Sequence, residues 1–382
     1  MTTVADGEFK TLADAIPTGL RLTTGSDSYG VPYNVEGYGY IVDTQMLMDL
    51  FALESADAML ADIKAASYDE WETLVKAIDA YIKNTTVATV ELNGNNYTFA
   101  AAKAGLAANL NGVFAVMGSQ KWTYGDHFIN VAINAAFSSA AAANAATDEE
   151  VDSLKNVFVA YAKALDLKTS YLAGLDGAAV RGNDFVSEAK FGYDQTVQIF
   201  ADSKAVFFKQ GNWAYGNIAG VNADQAARLT FLPVKMPMTD ADITAEGLTL
   251  DKFNSSIPVF VPNYYAINAK ATAAEQQAGM DFLVWLNTSE AGKKFIIEDF
   301  AFIPYNADPA TTTLPNSLGN SILGYVKADK TLAAPYQGAP ATWSGEIVGL
   351  KILESYMTKE TWTDDDYNAI ADYAIEQWKE LN

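Results

Sequence analysis

The 382-residue chain contains no cysteine and one histidine, His127. The first absence excludes disulfides, thiolate zinc sites and cysteine nucleophiles, and is compatible with any redox compartment. The second excludes a multi-histidine metal centre and leaves general acid–base chemistry to carboxylates. Basic residues are scarce: 25 Lys and Arg stand against 47 Asp and Glu, a formal net charge of −22. Such a surface is repelled by nucleic-acid phosphates and by anionic lipid, so neither is an expected partner, whereas a neutral solute is unaffected. No apolar run is long enough to cross a membrane. The opening "MTTVADGEFKTLADAIP" lacks the charged and then apolar stretches of a secretion signal, so none is expected within the chain. Gly-x-Ser-x-Gly and Gly-x-x-x-x-Gly-Lys are both missing, and His127 beside Asp126 has no identifiable serine partner, which argues against a serine triad or a phosphate loop.

What is present is the composition of a folded protein. Half of the residues are hydrophobic and 12% are aromatic, and the length suits two domains or one two-lobed body. Ser67 and Glu70 have capping-box spacing ahead of Trp71, Leu74, Val75, Ile78 and Ile82, which predicts a core-facing helix. Asn93-Gly94 between two β-rich runs predicts a tight hairpin. The alanine-rich run that follows Asn130 favours helix up to Thr147 and Glu150, which cap the next one. "AVFF", "RLTFLPV" and "IPVFVPNYYAIN" read as strands alternating with helices, the pattern of an α/β sheet. "EQQAGMDFLVWLNTSEAGKKF" reads as a buried helix and the start of another. The tail "TDDDYNAIADYAIEQWKEL" reads as an acid-capped helix. No proline- or serine-rich linker divides the chain, so two lobes would be joined by crossing strands.

The residues suited to chemistry are rigid aromatics and amides at strand ends. "PYNVEGYGY" (32–40), "KWTYGD" (121–126), "QGNWAYGN" (210–217), "VPNYYAIN" (261–268) and "ATWSGE" (341–346) each combine the two. Aromatic faces stack on the apolar faces of sugar rings, while amides and carboxylates bond the hydroxyls. One such stretch alone is more often packing, because tryptophan and tyrosine are largely buried on average; five together raise the odds of a site. A glycosidase-like carboxylate pair stays open on composition. Asp240, Asp242 and Glu246 match a calcium loop poorly, since its glycine and terminal glutamate fall at the wrong positions, and a solvated acidic loop is the better reading. No metal and no organic cofactor is expected.

The ordered set "YGVPYNVEGYGYIVD", "FADSKAVFFKQGNWAYGNI", "LTFLPVKM", "YYAIN", "AGMDFLVWLNTSEAGKKF" and "FIPYNAD" resembles the extracellular solute-binding proteins of carbohydrate ABC importers, the maltose-binding-protein group, from Tyr29 to the C-terminus. The resemblance implies a two-lobed α/β fold of the type II periplasmic-binding-protein kind, linked by crossing strands, with residues 1–36 and 262–307 in the first lobe and 37–261 and 308–382 in the second. It implies a sugar, expected to be an oligosaccharide, held between the lobes as they close. The chain would then be a non-enzymatic, monomeric binding subunit that serves membrane permease subunits outside the cell or in the periplasm, anchored as a lipoprotein. Carboxylate-dependent hydrolysis of glycosides, or a sensory or structural sugar-binding role, are the alternatives.

Residue by residue, the resemblance nominates Glu36 as a hydroxyl acceptor with Asn34 beside it, and Trp213 as a stacking residue flanked by Asn212 and Tyr215. Asn263, Tyr264 and Tyr265 would narrow the cleft at the return crossing, and Trp343 and Trp122 would add aromatic contacts. Relatives carry several further strand–helix units ahead of their counterpart of "YGVPY", where only 28 residues precede Tyr29 here. An incomplete first lobe, weak sugar binding and uncovered apolar surface in that lobe are therefore expected.

Overall fold

The computed structural model describes residues 6–24 and 27–382. The chain divides into two compact units, Met1–Gly37 with Val259–Asp329 and Tyr38–Pro258 with Lys330–Asn382. It passes between them inside the strands Glu36–Asp43 and Ile257–Phe260, and again after Asp329. Helix Ser317–Lys327 thus lies in the first unit, whereas the sequence division had the second lobe begin at 308. Its cap residue Asn316 ties it to that unit by donating to the Ala301 carbonyl.

A mixed eight-stranded sheet organises the second unit. Its order is Thr331–Leu332, Ile257–Phe260, Glu36–Asp43, Ala205–Gly211, Gly112–Ala115, Leu172–Ala173 and Ala178–Ala179, with Leu229–Leu232 also pairing with Glu36–Asp43. The strand Ala205–Gly211 is buried at every position, as expected of a strand covered on both faces. It runs antiparallel to Glu36–Asp43 and parallel to Gly112–Ala115.

Helix Tyr68–Asn84 forms as its cap predicts: Ser67 Oγ accepts from Glu70 N (3.3 Å) while Glu70 Oε2 accepts from Ser67 N (2.7 Å). Its buried face carries Trp71, whose ring stacks on Tyr40 at 5.1 Å and meets Phe207 at 4.9 Å. The Asn93-Gly94 hairpin has both residues at positive φ, 49° and 79°. Its tip is docked by Asp62, which accepts from Asn93 Nδ2, Asn95 Nδ2 and the Tyr97 hydroxyl. The C-terminal helix spans Asp364–Leu381 behind a Thr363–Asp366 capping box.

Two expectations change. The alanine-rich run is not one helix: Asn130–Ile133 stops, and a new helix, Ala140–Asn144, starts at Ser139, whose Oγ accepts from Ala142 N. Asn134, at the break, donates to the Asn130 and Ala333 carbonyls, so a side-chain bond to a neighbouring segment replaces helix propensity. Helix Ala273–Thr288 is not buried either. Only Leu283, Leu286 and Asn287 are covered, while Phe282 is 53% and Trp285 40% exposed. Its apolar residues are spread over more than one face, and the first unit covers only the face of Leu283 and Leu286. That unit also contains the three-stranded sheet Leu22–Thr24, Asp27–Pro32 and Tyr264–Tyr265, helix Glu8–Asp14, helix Glu290–Lys294 with the π turn Phe295–Asp299, and helix Ser317–Lys327.

Lys168, on helix Lys155–Ser170, is buried with its ammonium 4.3 Å from the centre of the Phe128 ring. Burial pulls it down to about 7. Between pH 7 and its unfolded value the unfolded chain holds more protons than the folded one, so this group makes stability rise with pH. Lys168→Met is expected to stabilise the protein by ~2–4 kcal/mol at pH 6, with the gain shrinking toward pH 10. Urea unfolding at the two pH values measures this, and equal or lower stability of the variant at pH 6 would contradict it.

Candidate functional site

The site is organised by the end of the buried strand Ala205–Gly211. Gly211 lies opposite Tyr38 in the antiparallel register, and the chain then turns through Asn212–Ala214 into helix Tyr215–Val221. The Trp213 indole folds back over Gly211, where a Cβ would lie inside the ring's van der Waals envelope. The glycine of "QGNW" therefore makes room for the tryptophan.

Facing it is a helical segment that widens into a π turn at Gly125–Ile129. This turn brings His127 and Trp122 together, with ring centres 5.1 Å apart. His127 stacks on Tyr38 at 4.6 Å and 16°, and meets Trp213 at 5.0 Å. Trp122 and Trp213 are 6.4 Å apart, and Tyr336 meets the histidine edge at 6.3 Å. Trp122, His127, Trp213 and Tyr336 are half-buried, each keeping part of its surface open to a ligand.

Polar groups fix these rings. Asn130 Nδ2 donates to the Tyr38 hydroxyl (2.7 Å), and Asn130 Oδ1 accepts from Tyr336 N (3.1 Å). Trp122 Nε1 donates to Gln120 Oε1 (3.0 Å), and Gln120 Nε2 donates to Glu188 Oε2 (2.8 Å). Asp126 accepts from Ser344 Oγ (2.5 Å), and burial raises its carboxyl above the ordinary range. Behind the rings, the Lys209 amine lies 4.4 Å from the centre of the Tyr38 ring, and burial holds it well below its usual range. Burial, and then Lys209, keep His127 well below the usual histidine range, so the imidazole is neutral at physiological pH. The result is a platform of neutral rings braced by the amides of Asn130 and Gln120. Among the described residues no group of three or more His, Asp or Glu is arranged to hold a metal ion.

Of the residues nominated from sequence, the structure brings Trp213 and Trp122 into this platform, with Asn212 and Tyr215 on the same turn; Asn212 is buried and Tyr215 half-buried. Trp343 is a correction. It is fully buried, donates Nε1–H to the Ala374 carbonyl (2.8 Å) and packs edge-on against Trp378 at 4.5 Å. A ring enclosed by its own core offers no face to a ligand.

The remaining nominees lie in the first unit. Asn34 donates to Glu36 Oε1 (3.2 Å) and accepts from Ile303 N (2.8 Å), which makes it a brace. Burial pushes Glu36 up to about 7 against the opposing bond from Asn34. Asn263 is exposed and accepts from Tyr33 N through its carbonyl. Tyr264 packs across Gly30, and Tyr265 meets the Tyr33 ring at 5.3 Å.

Sequence reasoning weighed His127 only as a catalytic partner. It held Tyr38 only within the stretch 32–40 and missed Tyr336 and Gln120 altogether. Trp122 and His127 are five residues apart, a spacing that an α-helix sends to different faces and a π turn brings onto one.

The family model described as "Bacterial extracellular solute-binding protein" matches residues 2–317. The chain belongs to this family. No curated protein sequence matches it. Among solved structures it is similar to a chitin oligosaccharide binding protein, at 13% identity and TM-score 0.57 over 97% of this chain and 77% of that one. It is also similar to RafE of Streptococcus pneumoniae in complex with raffinose, at 12% identity and TM-score 0.58 over 98% and 78%. A third is a sugar transporter of Bacillus licheniformis in complex with stachyose, at 13% identity and TM-score 0.56 over 97% and 78%. At these identities the likeness establishes the solute-binding-protein fold. The family is extracellular by its description, and among the described residues no helix is long and apolar enough to cross a membrane.

Glu36→Gln is expected to leave stability nearly unchanged at pH 5, where the native carboxyl is already protonated. At pH 8 it should raise stability by about 1–3 kcal/mol, because the wild type then carries a poorly solvated carboxylate. Thermal unfolding at the two pH values tests this, and a variant less stable than wild type at pH 8 would show that the carboxylate is well solvated.

Proposed function

We propose that this chain is the substrate-binding component of a sugar ABC importer and that it stacks a ring of an oligosaccharide on Trp213 and Trp122. The observation that carries the reading is the half-open platform of Trp122, His127, Trp213 and Tyr336, held by Asn130 and Gln120. Neutral aromatic faces with adjacent amides suit a neutral, polyhydroxylated ring. Similar folds crystallised with raffinose and stachyose support the same ligand class. Delivery to permease subunits, a lipoprotein tether and binding without turnover belong to this reading too.

The test is a calorimetric titration with raffinose, stachyose and chitin oligosaccharides. Trp213→Ala should weaken binding by about 1–3 kcal/mol with the fold retained. Trp343→Ala should instead lower stability by ~3–5 kcal/mol while the folded fraction binds normally. Gly211→Ala should displace the indole and mimic Trp213→Ala. If no sugar binds, or if released monosaccharide accumulates, the binding-subunit reading fails.

A further inference from the structure

The first unit contains a cavity of about 670 Å³ between helix Glu8–Asp14, helix Ala273–Thr288 and the paired strands that carry Tyr29 and Tyr265. Its volume falls within the range of sites for small organic ligands. The apolar part of the wall includes the rings of Tyr29 and Tyr265 and the thioether of Met280. Tyr29 is 48% exposed, so part of its ring is open to a ligand.

The charged part of the wall has one sign. Asp6, Glu8 and Asp281 line the cavity, and among the described residues no lysine, arginine or histidine does. Gln277 Nε2 donates to one oxygen of Asp281 (2.7 Å) and fixes that carboxylate. Electron-rich ring faces and carboxylates act on the same ligand charge, because the ring quadrupole and the anion both attract a cation. A neutral sugar would use the rings and amides and gain nothing from the net charge.

We propose that this cavity is a second ligand site, separate from the aromatic platform, that takes a small organic cation: an ammonium head on an apolar body. The body lies against Tyr29, Tyr265 and Met280, and the head is held by Glu8, Asp281 and Asp6. Every residue of the site belongs to the first unit, and the platform residues belong to the second. The site therefore stands or falls independently of sugar binding.

The probe is benzyltrimethylammonium, titrated into the full chain at low salt and followed by calorimetry and by tyrosine ring signals in NMR. Neopentylbenzene, its uncharged isostere, serves as the control. Saturable binding of the cation, weakened by added salt, is expected together with clearly poorer binding of the isostere. Glu8→Gln combined with Asp281→Asn should weaken cation binding roughly tenfold while thermal stability and sugar titrations stay as in the wild type. Tyr29→Ala should weaken both probes. Equal affinity for cation and isostere, no saturable binding, or wild-type affinity in the double variant would each overturn the proposal.

Discussion

The pairing of Tyr38 with Gly211 is the constraint on which the platform depends. Directly opposite residues of an antiparallel pair share a face, so Tyr38 projects beside a position that has no side chain. That gap admits the Trp213 ring from beyond the strand end and leaves Tyr38 free to stack on His127. A one-residue slip would move Tyr38 and Tyr40 to the opposite face and would break the stack on His127 and the packing against Trp71 together. Site geometry and core packing are therefore specified by the same register.

Electrostatics divides between surface and interior. The formal charge of −22 contrasts with an interior in which the amines Lys168 and Lys209 sit against aromatic rings and are pulled down by burial. A buried ammonium is costly, and a ring face offsets only part of that cost. His127 is also held neutral, so the rings that meet a ligand are themselves uncharged. This favours dispersion and hydrogen bonding over ion pairing at the platform.

The two units differ in how their apolar surface is covered. The second encloses Trp71, Trp343 and Trp378 completely. The first exposes Phe282, Trp285, Phe295 and Phe300, whose rings follow one another at 5.8, 6.1 and 6.3 Å. An exposed series of this kind is uncommon on a monomer. The solved structures to which the chain is similar are longer, with 77–78% of each covered.

The sequence by itself determined the locally encoded features. The caps at Ser67 and Thr147, the Asn93-Gly94 hairpin, the buried strand ending at Gly211 and the nomination of Trp213 all depend on interactions within a few residues, which composition and spacing report directly. The order of motifs carried the family. Tertiary structure decided whatever depended on distant neighbours: Trp343, the same residue type in a similar stretch, became core because Trp378 and the Ala374 carbonyl enclose it. It also placed His127 on the platform through a π turn that no residue pattern announces, and left helix Ala273–Thr288 half uncovered although its sequence reads as buried. Burial belongs to the packing partner as much as to the residue, and one chain's local pattern does not contain its partner.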